Sequence, residues 1–139
     1  MQAQDVMTPN PVTVPLQATV AEVWDLMRER GVRHLPVLDA GTLVGMLSDR
    51  DLAQFDLARV FTAEGAEALR HELGTPAVKA MSSDVITVGP EADLSEVVDL
   101  LVENRIGAVA VVRPETQELV GIVSYVDVLE ALRDLLETE

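Results

Sequence analysis

The chain has no cysteine, a single lysine (Lys79) and only two Phe, one Tyr and one Trp among 139 residues. Without cysteine there are no disulfides, thiolate metal ligands or cysteine nucleophiles, although the absence leaves the compartment open. The two histidines, His34 and His71, show no metal-ligand spacing, which argues against a zinc or oxygenase site. Basic residues number 10 against 24 acidic ones, a formal net charge of −14. That balance repels polyanions and opposes nucleic-acid binding, which needs a clustered basic face; its plain reading is a solubilising surface. No apolar run approaches the roughly 18 residues that span a bilayer, and no signal peptide is evident at the start. The expectation is a soluble, cytoplasmic protein. Glycine-rich phosphate loops and the Gly-x-Ser-x-Gly nucleophile elbow are also missing, so no catalytic set is expected.

What the chain does have is 48% hydrophobic residues with 3% aromatic. A chain of this length fits one compact domain that removes about 68% of its unfolded surface. Its core must be aliphatic, with Trp24 as the one large anchor.

The chain also repeats itself. Gly45-Met46-Leu47-Ser48-Asp49-Arg50-Asp51 returns as Gly121-Ile122-Val123-Ser124-Tyr125-Val126-Asp127. Upstream, Met7, Thr13, Val14, Ala18, Glu22, Val23 and Val37 recur 74 positions later as Met81, Thr87, Val88, Ala92, Glu96, Val97 and Val111. Two copies of one supersecondary unit therefore make up most of the protein.

Each copy predicts the order strand, helix, strand, strand, helix. Val12-Thr13-Val14 reads as a short strand between Pro11 and Pro15. Thr19 and Glu22 have capping-box spacing, and Val20, Val23, Trp24 and Met27 follow at helical intervals until Gly31. In the second copy Asp93 takes the cap position, with Leu94, Val97, Val98 and Leu101 as the apolar stripe. Leu35 to Leu38 and Leu43 to Leu47 flank a Gly-containing hairpin turn, matched by Val109 to Val112 and Leu119 to Val123. Each heptamer then opens a helix, from Asp49 to about Ala58 and from Tyr125 to Leu136. A further short helix ending at Leu73, closed by Gly74 and Pro76, is expected between the copies.

Met7-Thr8 and Met81-Ser82 near each start, the Thr-Val strands, Leu35-Pro36-Val37 and the repeated Gly-h-h-Ser-x-x-Asp (h apolar) resemble a pair of cystathionine beta-synthase (CBS) domains, the Bateman module. The resemblance spans residues 4 to 136, with repeats at 4–58 and 78–136 and a helical linker at 59–77. It implies an α/β (α+β) fold of two β-α-β-β-α repeats packed with pseudo-twofold symmetry. It implies regulation rather than catalysis, clefts that hold adenosine-containing ligands, and pairing into a homodimer. The ligand-binding residues it implies are Thr13, Arg33, His34, Leu35, Pro36, Ser48, Arg50 and Asp51 in the first copy, with Thr87, Ala108, Val109, Ser124 and Asp127 in the second.

The heptamer's chemistry supports two readings. Gly45 and Gly121 permit close approach of a ligand or another backbone, or mark a bulge. Ser48 and Ser124 stand where a helix begins and could meet a phosphate, and the carboxylates of Asp51 and Asp127 could accept both hydroxyls of a ribose. The other reading is a capping box, in which Ser and Asp only close their own helix. An Asp folded back in that way is expected to be lost to a ribose.

The copies are unequal. Arg33, His34 and Arg50 stand in the first, where the second has Gly107, Ala108 and Val126. A basic pair at a strand start is also a common solvated edge, His34 could be a neutral ring at the core's rim, and Lys79 reads as surface. The expected function is a stand-alone regulatory module with no required cofactor, binding AMP, ADP, ATP or S-adenosylmethionine. The acidic surface favours AMP or a cationic adenosyl ligand over ATP. A ligand-free dimerisation scaffold is the alternative. The downstream protein partner is not written in the sequence; nucleic acid and membrane are not expected partners.

Overall fold

The computed structural model describes residues 1–53 and 65–138. In chain order they form α1 (Ala3–Val6), β1 (Thr8–Pro9), β2 (Val14–Pro15), α2 (Val20–Arg30), β3 (His34–Asp39), β4 (Thr42–Ser48), α3 (Asp49–Leu52), α4 (Gly65–Leu73), α5 (Ala77–Ala80), β5 (Thr87–Val88), α6 (Leu94–Asn104), β6 (Ala108–Val112), β7 (Leu119–Ser124) and α7 (Tyr125–Glu137). The strands make two small sheets, one in the order β2-β3-β4 and the other β1-β7-β6-β5. The mixed α+β class and the repeated element order agree with the sequence. The stretch of the third helix beyond Ala53, and the linker helix before Gly65, lie outside the described residues.

Length alone allowed one core, but there are two. One compact unit comprises Val12–Ala40 with Val44–Ser83, the other Met1–Pro11 and Gly41–Leu43 with Asp84–Glu139. Val14, Val20, Val23, Met27, Leu35, Val37 and Leu47 fill the first core, and Val88, Val97, Leu101, Val109, Val111 and Val123 the second. Both are aliphatic, as the shortage of aromatics requires. Trp24 is half-buried and packs against the edge of the first core, because a helix of α2's size turns Val20, Val23 and Met27 inward. The linker helix α4 packs on α2.

The strand expected at Val12 to Val14 is displaced to Val14–Pro15, which pair in parallel with Val37 and Leu38. The proline is tolerated because β2 is an edge strand. Helix α2 begins at the expected residue, with Thr19 Oγ1 accepting from the Glu22 N–H at 3.2 Å, but the return bond from the Thr19 N–H to the Glu22 side chain that would complete a capping box is not made. Asp93 occupies the cap position of α6, yet its side chain makes no capping bond; its backbone carbonyl accepts from the Glu96 N–H at 3.0 Å instead.

The two long helices end alike with different residues. Gly31 closes α2 at φ 65° and Arg105 closes α6 at φ 53°, both left-handed. An L side chain in that region costs roughly 1–2 kcal/mol, partly offset by the loss of chain entropy when Gly is introduced. Arg105→Gly is therefore expected to stabilise the protein by about 0.5–1 kcal/mol. Chemical denaturation checks it, and a lower midpoint in the variant would contradict it.

The feature that no periodicity announced is the fate of the two leaders. Strand β1, ahead of the first copy, pairs antiparallel with β7 of the second, Thr8 facing Ile122 and Pro9 facing Gly121. The segment after α5, ahead of the second copy, bridges to β4 of the first: Met46 and Ser82 exchange two backbone hydrogen bonds of 2.9 Å. Each copy's leader is folded into the other copy's unit.

Candidate functional site

Both heptamers end a strand and start a helix, and both close as capping boxes. In the first, the Asp51 carboxylate accepts the Ser48 N–H at 2.8 Å and the Ser48 hydroxyl at 3.2 Å, both on Oδ2, while the Asp51 N–H donates to Ser48 Oγ at 3.4 Å. In the second, Asp127 Oδ2 accepts the Ser124 N–H at 2.9 Å and the Asp127 N–H donates to Ser124 Oγ at 3.2 Å. The cap thus engages one carboxylate oxygen in each copy. At Asp51 both bonds fall on Oδ2, leaving Oδ1 outside the cap. At Asp127 the other oxygen, Oδ1, receives the Thr8 hydroxyl at 3.4 Å. Folding back onto the helix is therefore a weaker restriction than the sequence implied.

A backbone bond sets what stands beside each cap. The Asp49 N–H donates to the Arg33 carbonyl at 3.0 Å, which fixes the Arg33-His34 strand start against the first heptamer. The Tyr125 N–H makes the matching bond to the Gly107 carbonyl at 2.9 Å, and Ala108 lies opposite Ser124 in the sheet. The strand start beside Ser48 and Asp51 thus carries an arginine and a histidine, and the one beside Ser124 and Asp127 only glycine and alanine.

The model of the CBS domain matches residues 3–58 and again 77–134. The chain belongs to the CBS domain family. It is 32% identical over 124 residues to the CBS domain-containing protein YhcV of Bacillus subtilis, covering 89% of this chain and 80% of that one. Other curated relatives are longer proteins of which it spans less than half. Among solved structures it resembles AcuB of Vibrio cholerae (30% identity, TM-score 0.80, 99% of this chain and 93% of that one). It also resembles CBSX2 in complex with AMP (27% identity, TM-score 0.78, 96% of this chain and 97% of that one).

Within this CBS pair the other expected site residues divide by burial. Leu35, Pro36, Ala108 and Val109 are buried, so they could offer a ligand backbone groups rather than side-chain reach. Arg33 and Arg50 are exposed, and His34, Ser48, Asp51, Ser124 and Asp127 are half-buried. Thr13 immediately precedes β2. Thr87 pairs with Ala110 and lines a concavity of about 490 Å³ with Gly89, Pro90, Glu96 and Arg113, a lining that includes neither Ser124 nor Asp127.

The heptamer glycines have a different neighbour from the one expected. A Cβ built on Gly45 would collide with the Met81 side chain, and one on Gly121 with Met7, with the nearer carbons at 2.9 Å in both cases. Each CBS repeat's leading methionine covers the other repeat's glycine. The sequence did hold the signal, since Met7/Met81 and Gly45/Gly121 recur together. What it lacked was any sign that the partners cross between copies.

Burial holds the His34 pKa below its ordinary 6.5; the carboxylates of Asp49 and Asp51 pull it up, and Arg33 adds to the lowering. A histidine depressed in the folded state is neutral there while the unfolded chain still takes a proton. The stability due to the neutral ring is present above pH 6.5 and is lost as pH falls through the folded value. His34→Gln is expected to flatten the fall in urea midpoint from pH 6.5 downward. Identical slopes for both proteins would refute it.

Proposed function

We propose that this CBS pair is a regulatory module that binds an adenosine-containing ligand, AMP or S-adenosylmethionine in type, and signals through conformation or self-association. The observation that carries the proposal is the Asp49 to Arg33 backbone bond. It sets at one strand end a carboxylate with an oxygen left outside its cap, suited to a ribose diol, together with Arg33, a cation suited to a phosphate, and the His34 ring, which can donate a hydrogen bond while uncharged. The likeness to CBSX2, solved with AMP, supports the same ligand class. Regulation would follow from population shift, since a ligand at a hundred times its Kd adds about 2.7 kcal/mol to the state that binds it.

Helix α7 supports self-association. None of its residues is buried, and Tyr125, Val126, Leu129, Leu132, Leu135 and Leu136 leave it an apolar surface facing out. No helix among the described residues is long and apolar enough to cross a membrane, so another protein surface, most simply a second copy, is the cover proposed. Sedimentation equilibrium at tens of micromolar should give a dimer; a monomer would remove that element. The closed caps favour a second reading, a scaffold that binds no nucleotide.

A thermal-shift panel of AMP, ADP, ATP, NAD and S-adenosylmethionine separates the two. At a hundredfold excess over Kd the expected rise in Tm is on the order of 10 °C. No shift with any of the five at millimolar concentration would leave only the scaffold.

A further inference from the structure

The two caps differ in one contact that the repeat does not predict. Thr8 lies in β1, which is held against β7 by its pairing to Ile122, and its hydroxyl reaches Oδ1 of Asp127 at 3.4 Å. Asp127 therefore has both oxygens engaged, Oδ2 by its own helix start and Oδ1 by the leader strand. The equivalent leader residue in the other unit is Ser82. It is anchored in the same way, through its backbone to Met46, but its hydroxyl makes no hydrogen bond to Asp51 among the described residues. Asp51 keeps Oδ1 with both of its lone pairs outside the cap.

A vicinal diol presents two donors about 2.7–3 Å from its acceptors and needs an approach path to the carboxylate as well as lone pairs. At Asp127 the Thr8 hydroxyl already takes up Oδ1, the oxygen that the cap leaves over. At Asp51 the equivalent leader residue, Ser82, makes no side-chain bond to the carboxylate, and its pairing to Met46 is through the backbone alone.

We infer that Thr8 is a specificity-determining residue that closes the second heptamer, so that the module takes one adenosyl ligand per chain, at Asp51. The inference rests on the proposed ligand-binding reading and deepens it. The leader of the first copy sets the occupancy of the second, which makes β1 a stopper as well as an edge strand. A chain in which the β1 to β7 pairing loosened would expose a second site, and occupancy would then report on the state of the leader.

Titration calorimetry of the full chain with AMP, and separately with S-adenosylmethionine, tests this. The wild type should take one equivalent, and Asp51→Asn should abolish it. Thr8→Ala should raise the stoichiometry to two, with the added equivalent lost in Thr8→Ala/Asp127→Asn. Thr8→Ser keeps the hydroxyl and should remain at one, which also covers the case that the alanine variant folds poorly. Two equivalents in the wild type, one in a folded Thr8→Ala, or two in Thr8→Ser would each overturn the role of Thr8 while leaving ligand binding in place. No heat from either compound in any variant would instead defeat the ligand-binding reading, and the inference with it.

Discussion

Gly121→Ala is expected to destabilise the protein by about 2 kcal/mol, and Gly45→Ala by less, although the two glycines hold the same place in the repeat. At Gly45 the three atoms nearest to an added methyl all belong to the Met81 side chain, with Cγ at 2.9 Å and Cε at 3.1 Å. Methionine has three rotatable bonds and can move aside. At Gly121 the methyl would meet Met7 Cγ at 2.9 Å and also the Thr8 carbonyl oxygen at 3.1 Å. That oxygen belongs to the strand paired with β7 at Ile122 and Gly121, so relief there requires the strand itself to shift. Urea denaturation of both variants gives the comparison. Combining Gly45→Ala with Met81→Ala should cost less than the two changes added separately, because each relieves the other. Equal losses at the two glycines, or a larger one at Gly45, would show that the backbone carbonyl is not the limiting contact.

Leu35→Ala should cost about 3 kcal/mol. Leu35 is fully buried in the cluster that holds Val14, Val23, Val37 and Leu47, and its truncation opens a cavity in a close-packed aliphatic core. Val102, 69% exposed on α6, provides the contrast. Val102→Ala should stay within about 0.5 kcal/mol of the wild type. The Leu35 substitution also reaches the candidate site, since Arg33 and His34 directly precede it and take their placement from β3. A loss of nucleotide affinity beyond that caused by unfolding is therefore expected, measured at a temperature where the variant remains folded. A loss in denaturation midpoint no greater than that of Val102→Ala would mean that this core is not packed as described.

The sequence displayed the elements whose pattern is long enough to have a period. Val20, Val23 and Met27 marked the buried face of α2, and the Ser-x-x-Asp pairs marked two helix starts that are indeed capped. Elements of two to four residues carry no period at all, and so α1, α5 and β1 went unread. The same limit moved the first strand from Val12–Val14 to Val14–Pro15, because only pairing with Val37 and Leu38 distinguishes Val14–Pro15 from its neighbours. For the site, the sequence supplied the residues and the inequality between copies. It could not supply the Thr8 to Asp127 contact, which joins positions 119 residues apart. Nor could it reveal that a capping carboxylate leaves an oxygen over, since that is a matter of geometry rather than of residue type.

The crossing of the leaders means that the repeat read along the chain and the body that folds are different objects. A fragment of residues 84–139 would contain a whole second repeat's sheet except its edge strand, and Gly121 would face an unfilled notch where Met7 belongs. The missing strand lies in residues 1–11, and only the short segment 41–43 is otherwise absent from that unit. Such a fragment is a receptor for its own distant N-terminus, so a short synthetic peptide of that sequence should complement it in the way a donated strand completes an open sheet. Gene duplication here has produced two halves that are complete only by exchange.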